Sequence, residues 1–342
     1  MPLKVVNYLF VVLLASSAFA VHSFAMDEAS LKSTYSSTLK PFMAQHAKSF
    51  TFETYDGLAL SAVYIENPNA KKTIVILNGR SETWLKYVEV FYDLYQQGYS
   101  IYSYDHRGQG LSPRLSTFSP QVGHVHHFSD YLSDLDYFVQ DVVVPGTKPG
   151  QELYLLAHSM GGAIAAGYLS EFEHPFKKAV LSCPMLEINT APYPEFVARA
   201  IVDAYILAGK GDHYAKGMTD YDPNILYTNS MTTGSENRFW IEHESFKENP
   251  TSILGGPSSQ WVLQNIKGSR KIRAEMGNID IPFLMFQAGK DKIVKPNGEE
   301  IGCNNAGENC FLIRFPDSEH EILMEVDSIR NSAFEKINQF FK

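Results

Sequence analysis

The chain has 342 residues, 44% hydrophobic, 20% charged and 13% aromatic, a balance that supports a sizeable buried core and excludes a disordered tail or a fibre. Twenty-nine Lys and Arg against 38 Asp and Glu leave a formal net charge of -9, with no block of like charge. A basic footprint for nucleic acid is therefore not expected.

In chain order, Lys4 precedes an apolar run from Val5 to Ala20, followed by Ala18-Phe19-Ala20 and Ser23-Phe24-Ala25, two small-x-small cleavage signals. Residues 1–25 read as a secretory signal peptide, since the run is short for a spanning helix. The expected protein is exported, periplasmic or secreted, and soluble once cleaved. Residues 26–49 form an N-terminal arm, polar with scattered apolar positions, whose function is not readable. The alternation from Phe50 to Tyr55, the Asp56-Gly57 turn and the run from Leu58 to Ile65 predict a β-hairpin.

Six short apolar runs then read as strands buried on both faces: Thr73 to Leu77, Tyr99 to Tyr104, Leu153 to Ala157, Ala179 to Cys183, Pro282 to Gln287 and Phe311 to Phe315. Amphipathic helices lie between them, with Val88, Phe91, Tyr92 and Tyr95 on one face, Phe128, Leu132, Leu135 and Val139 on another, and Ile329, Ala333, Ile337 and Phe340 near the C-terminus. The expected fold class is α/β, a mostly parallel central sheet with helices on both faces. Between about 185 and 278 the alternation stops. Helical spacing such as Phe196, Ala200, Ile201, Ala204 and Tyr205 without a strand predicts an inserted helical cap in a single domain over 50–342.

An exported chain meets oxidising conditions, so Cys303 and Cys310, bracketing a polar loop, are expected to form a disulfide, while Cys183 ends a strand pattern and reads as a buried thiol.

The sharpest chemical signal is Leu155-Leu156-Ala157-His158-Ser159-Met160-Gly161-Gly162, an apolar strand running into a helix of small residues. A turn that holds Ser159 in a strained conformation needs small neighbours, and Ala157 and Gly161 supply them around His158, forming a nucleophile elbow. A plain helix N-cap serine is the ordinary alternative. Asp291 follows one later strand and His320 the next, giving the order Ser, Asp, His. In that order His320 is the base for Ser159, and Asp291 fixes the imidazole. The oxyanion donors are expected to be the backbone N–H groups of Met160, at the helix start, and Arg80, in the Asn78-Gly79-Arg80-Ser81-Glu82 loop. The Arg80 side chain has a second available role, reading an acidic head group.

Asp105-His106-Arg107-Gly108-Gln109-Gly110-Leu111-Ser112 reads as structural, Asp105 and Arg107 pinning the loop through a charge-assisted bond. His124, His126 and His127 lack the ligand spacing of a zinc site and read as solvated or loop-bonding, so neither metal nor cofactor is expected. Of Tyr193, Phe196, Tyr205, Phe239, Trp240 and Trp261, some are expected to line an acyl pocket.

The Val75-to-Glu82, Tyr104-to-Ser112, Gly123-His124-Val125 and Ala157-to-Gly162 segments, with Gly255-Gly256-Pro257 and Trp261-Val262, resemble the bacterial lysophospholipase L2 family and, more distantly, monoacylglycerol lipases of the same superfamily. The likeness runs from about Phe50 to the C-terminus, and Ala157 matches the lysophospholipase version of the elbow. It implies an α/β-hydrolase fold and hydrolysis of the ester in a one-tailed lipid, a lysophospholipid or monoacylglycerol, through an acyl-serine. Transient contact with a membrane surface is compatible with it; no obligate protein partner is evident. The signal peptide and the cysteine-bracketed insert depart from the family pattern. The non-enzymatic alternative is an inactive hydrolase fold used as a lipid-binding module.

Overall fold

The computed structural model describes residues 26–342, so residues 1–25, the segment read as a signal peptide, lie outside the described residues. Eight strands form one sheet: β1 (Ala47–Glu53), β2 (Ala59–Ile65), β3 (Lys72–Leu77), β4 (Tyr99–Tyr104), β5 (Glu152–His158), β6 (Phe176–Ser182), β7 (Phe283–Ala288) and β8 (Cys310–Phe315). Their spatial order is β1-β2-β4-β3-β5-β6-β7-β8. The β1–β2 hairpin and the β2–β4 pair are antiparallel, and every later pair is parallel. All six predicted inner strands are present.

Eight helices matter to the site: α1 (Val88–Gln96), α2 (Phe128–Tyr137), α3 (Ser159–Glu171), α4 (Glu195–Leu207), α5 (Glu236–Glu248), α6 (Ser259–Glu275), α7 (Pro296–Ala306) and α8 (Asp327–Phe340). Successive strand residues point to opposite faces, so two cores follow from one strand sequence. Val75, Leu77, Leu155 and Ala157 pack with α2, α3 and α6 on one side, whereas Ile74, Ile76, Tyr154 and Leu156 pack with α1 and α8 on the other.

The arm is helical over 28–46 and passes directly into β1 at Ala47, three residues earlier than expected. Leu31, Tyr35 and Leu39 bury against Val88 of α1 and Ile241 of α5, and the Tyr35 ring meets Trp240 edge-on. The arm therefore braces the cap against the sheet domain.

The insertion between β6 and β7 carries α4, α5 and α6. The expectation of a cap running to about 278 needs correction at its C-terminal end. Trp261 and Ile272 of α6, with Met276 just beyond it, belong to the core beneath the sheet, which makes α6 a layer helix. The apolar stripe read on α4 is also not a core face. Phe196 is 75% exposed, and Ala200 and Ala204 are exposed as well; of the stripe Ile201 turns inward, beside Ala198 and Val202. Cys303 and Cys310 are disulfide-bonded, but the stretch between them is the last turn of α7 and a short helical turn into β8, not a loose loop. Cys183 is a buried free thiol. No helix among the described residues is long and apolar enough to cross a membrane.

Candidate active site

β5 delivers the chain to Ser159, which adopts φ 52 and opens α3. This left-handed conformation is costly for a residue with a side chain, and it persists because the buried strand and helix on either side fix it. A Cβ at Gly161 would lie 2.5 Å from the Asn78 carbonyl oxygen and 2.8 Å from that of Leu77. Only glycine lets α3 approach the end of β3 so closely. Ala157 is fully buried in register between Leu77 and Leu181, and a larger side chain would have to displace that core.

Asp291 follows β7 and His320 follows β8, so the parallel sheet places both at the end where β5 delivers Ser159. The Ser159 Oγ stands 2.8 Å from His320 Nε2, and His320 Nδ1 is 2.6 Å from Asp291 Oδ2. The other Asp291 oxygen accepts the amides of Ile293 and Val294 at 2.8 and 2.9 Å. Burial pushes the Asp291 carboxyl up, but the bonds from His320 and these amides prevail and hold it below its ordinary value. It is therefore ionised and oriented toward the imidazole. Gly289 brings the two loops together, since a Cβ there would fall 2.3 Å from the Pro316 carbonyl oxygen.

The loop after β3 lies against the elbow: a Cβ at Gly79 would be 3.1 Å from the Ser159 Cβ. The next amide, that of Arg80, has no hydrogen-bond acceptor among the described residues. The Met160 amide lies in the first turn of α3, where helix amides have no intrahelical partner. Both predicted oxyanion donors thus border the nucleophile with N–H groups left to give.

What holds this loop was only partly visible in sequence. The Gly79 amide donates to Glu82 Oε2 at 2.5 Å, and Tyr87 Oη donates to the same atom at 2.7 Å. Lys86 Nζ bonds Glu82 at 2.8 Å, Glu242 at 3.1 Å and Glu321 at 2.8 Å. Gln109 Nε2 donates to the Gly79 carbonyl at 2.7 Å. The four-residue spacing of Glu82 and Lys86 was a usable signal; nothing in the sequence announces Glu242, which arrives from α5. His158 is enclosed beside Glu82, and burial, outweighing that carboxylate, lowers its pKa to about 4, leaving it neutral. Glu82, His158 and Glu321 converge closely enough to share an ion, but the Lys86 ammonium already bridges the two carboxylates.

Asp105 and Arg107 do not bond each other as expected. Asp105 accepts from the Trp84 amide at 2.7 Å, Thr83 Oγ1 at 2.8 Å, the Leu111 amide at 2.8 Å and Asn78 Nδ2 at 3.0 Å, tying the loop after β4 to the one after β3. Arg107 turns to the opposite side and forms a two-pronged pair with Asp134 of α2, at 2.6 and 2.5 Å, and another with Asp56 of the hairpin turn. One carboxylate saturated by four donors has no capacity left for a guanidinium. His124 Nδ1 lies 2.8 Å from Ser258 Oγ, a loop bond, with its ring edge-on to His126.

Above Ser159 the cap encloses a cavity of about 920 Å³, bordered by Ser159, His320, Met185, Ile201, Val202 and Trp261 among others. Tyr193 and Phe239 also line it; Phe196 and Tyr205 do not, and Trp240 packs on the arm. A mostly apolar chamber with a few convergent polar groups suits a small amphiphile.

Residues 68–327 match the family model Hydrolase_4, described as serine aminopeptidase, S33. The chain is 34% identical over 271 residues to "Probable lysophospholipase L2" of Haemophilus influenzae, covering 79% of this chain and 83% of that protein. It is 33% identical over 297 residues to lysophospholipase L2 of Escherichia coli K12, covering 85% and 86%. A crystal structure of a soluble variant of monoglyceride lipase from Saccharomyces cerevisiae superposes with a TM-score of 0.67 at 20% identity, covering 86% of this chain and 94% of that one. The chain accordingly belongs to the serine aminopeptidase S33 family, adopts the α/β-hydrolase fold, and is a serine hydrolase of the esterase and lipase type.

Proposed function

We propose that the chain is a lysophospholipase that releases the fatty acid of a lysophospholipid through an acyl-Ser159 intermediate. The observation that carries this reading is the hydrogen-bonded series Ser159, His320, Asp291 opening into an apolar cavity roofed by the cap. The Ser159 hydroxyl attacks the ester carbonyl as His320 Nε2 takes its proton, and ionised Asp291 stabilises the imidazolium. Negative charge developing on the carbonyl oxygen is met by the amides of Arg80 and Met160. Collapse breaks the ester bond, and His320 returns the proton to the departing glycerol oxygen. Water, deprotonated by the same imidazole, then attacks the acyl-serine; the fatty acid leaves and the Ser159 hydroxyl is restored. No step in this route calls on a metal or cofactor. The relatives named lysophospholipase L2 support the choice of substrate over a peptide. A monoacylglycerol is the second ester that fits the same chamber.

The reading extends to location. The segment at residues 1–25 directs export, the Cys303–Cys310 disulfide forms in that oxidising compartment, and the exposed Phe196, Leu207, Leu226 and Met231 of the cap rest transiently on a lipid surface from which the substrate is drawn.

The test is mass spectrometry of products from lysophospholipids, monoacylglycerols and short esters, run with the wild type, Ser159→Ala and His320→Ala. Free fatty acid from the wild type and a loss of activity by a factor of about 10⁴ or more in both variants are expected, because nucleophile and base act as a unit. Retention of most activity by either variant would refute the assignment.

A further inference from the structure

The Arg80 side chain has no part in the oxyanion hole, which uses that residue's backbone. Two of the guanidinium's five N–H groups are engaged, one by Ser81 Oγ at 2.7 Å and one by the Gly255 carbonyl at 2.5 Å, and its Cζ lies 5.3 Å from the centre of the Trp261 ring. Nε is buried and has no hydrogen-bond partner among the described residues. No carboxylate lies within ion-pair distance of it among the described residues either, in contrast with the fully buried Arg107, Arg238 and Arg330, which all have such partners; Arg80 itself is half-buried. Burial draws its pKa down to about 10, so it keeps its proton at neutral pH.

A half-buried guanidinium whose Nε is cut off from solvent and has no carboxylate beside it is held at a cost. The acids that share the cavity do not relieve it. Glu82, Glu242 and Glu321 are bonded to Lys86, and Asp220 accepts the Tyr214 hydroxyl. Arg80 borders the same cavity as Ser159, within the loop that lies on the nucleophile. Ser81, the Gly255 carbonyl and the Trp261 ring hold the planar fork in place, and an ordered fork suits phosphate oxygens. Among the described residues, the only other Lys or Arg on the cavity wall is Lys216, which is exposed and lies over the Tyr193 ring.

We propose that the Arg80 guanidinium is the receptor for the phosphate of the substrate's head group, so that the cavity discriminates phosphate-bearing monoacyl lipids from neutral ones. This rests on the lysophospholipase reading and specifies which part of the head group is read. The shared element is the phosphate itself, so one subsite serves both choline- and glycerol-type head groups.

The experiment compares kcat/KM for palmitoyl lysophosphatidylcholine, palmitoyl lysophosphatidylglycerol and monopalmitoylglycerol, all in the same detergent micelles, in the wild type, Arg80→Met, Arg80→Lys and Lys216→Met. Both lysophospholipids should lose at least about tenfold more than the monoacylglycerol in Arg80→Met, the size expected for one charge-assisted contact. Arg80→Lys should recover part of that ratio, and glycerol 3-phosphate should compete with substrate in the wild type but not in Arg80→Met. The rate of fluorophosphonate labelling at Ser159 reports whether the oxyanion loop survives the substitution. Parallel losses on all three lipids with slowed labelling would make the side chain a structural clamp and overturn the assignment. A ratio shift in Lys216→Met alone would move recognition to the rim and overturn it too. An unchanged lipid ratio in Arg80→Met would overturn it even where inorganic phosphate competes in the wild type, since that marks a free-phosphate site. A wild type that cleaves monopalmitoylglycerol but neither lysolipid would instead sink the lysophospholipase reading, before any variant is compared.

Discussion

His106 shows how one buried side chain couples the site to pH. It follows Asp105, lies edge-on to the Tyr104 and Tyr131 rings, and its Nε2 is 3.1 Å from the Asn78 carbonyl at the base of the oxyanion loop. Burial lowers its pKa to about 4, the backbone bond to Asn78 opposing that only in part. The unfolded chain therefore takes up this proton before the folded one does, and the stabilisation owed to a neutral His106 is lost as pH falls from about 6.5 to about 4. Buried carboxylates work in the opposite direction. Burial raises Asp105 and Asp134 to about 6 against their hydrogen bonds, so each binds its proton more readily when folded, over much of the same range. The wild-type profile is flattened by this opposition, and single substitutions expose the parts. His106→Phe should be destabilised at pH 7 by the lost bond, and the gap to wild type should shrink at pH 4.5. Urea midpoints at the two pH values measure it; a gap independent of pH would show that the histidine does not titrate as its burial implies.

At the scale of elements, the cap is tied to the sheet domain by charge as well as by apolar contact. Arg238 of α5 is fully buried; its Nε and Nη2 each lie 2.9 Å from Glu89 of α1, and Nη2 also reaches Asp327 of α8 at 2.7 Å. Arg330 of α8 continues the network to Asp93 of α1 at 2.7 Å. Breaking a buried pair leaves an uncompensated charge and costs about 3 to 5 kcal/mol. Arg238→Met should lower stability by about that amount, and Arg238→Met with Glu89→Gln should cost less than the two single changes summed. Thermal unfolding of the four proteins completes the cycle, and strict additivity would show that the pair is not coupled. Neither arginine was singled out from the sequence, because the partners of each come from helices far apart in the chain.

At the scale of the whole molecule, substrate shape follows from where the roof sits. The cavity lies between the strand ends and the cap, and a single acyl chain occupies such a slot more readily than two. Fatty acid should be released faster from a lysophospholipid than from the diacyl lipid at matched accessible lipid; a faster diacyl rate would show that the cap is not the barrier described. The disulfide acts on the same scale, joining the end of α7 to the start of β8 between the loops that carry Asp291 and His320. Closing so short a loop should contribute about 2 kcal/mol, read as the drop in unfolding free energy when both cysteines become alanine. Peptide mapping without reductant, on protein recovered from the cell, checks the pairing there.

Much of the architecture could be read directly because it depends on local pattern. Continuous apolar runs mark strands covered on both faces, and the glycines and alanine around Ser159 mark a close approach of helix to strand whatever surrounds them. The order of Ser159, Asp291 and His320 was legible for the same reason: each follows a strand, and parallel strands carry their following loops to one end of the sheet. Tertiary structure alone decided how far the cap extends, because the apolar face of α6 reads the same whether it roofs a cavity or fills a core. It also decided that Phe196 faces solvent, that Asp105 and Arg107 part company, and that Lys86 gathers carboxylates from three segments. Those outcomes depend on which buried charge meets which partner, and long-range pairing has no period in the sequence to reveal it. The Arg80 guanidinium belongs with them: the residue was visible in its loop from the start, but that no carboxylate among the described residues pairs with it is a property of the folded chain.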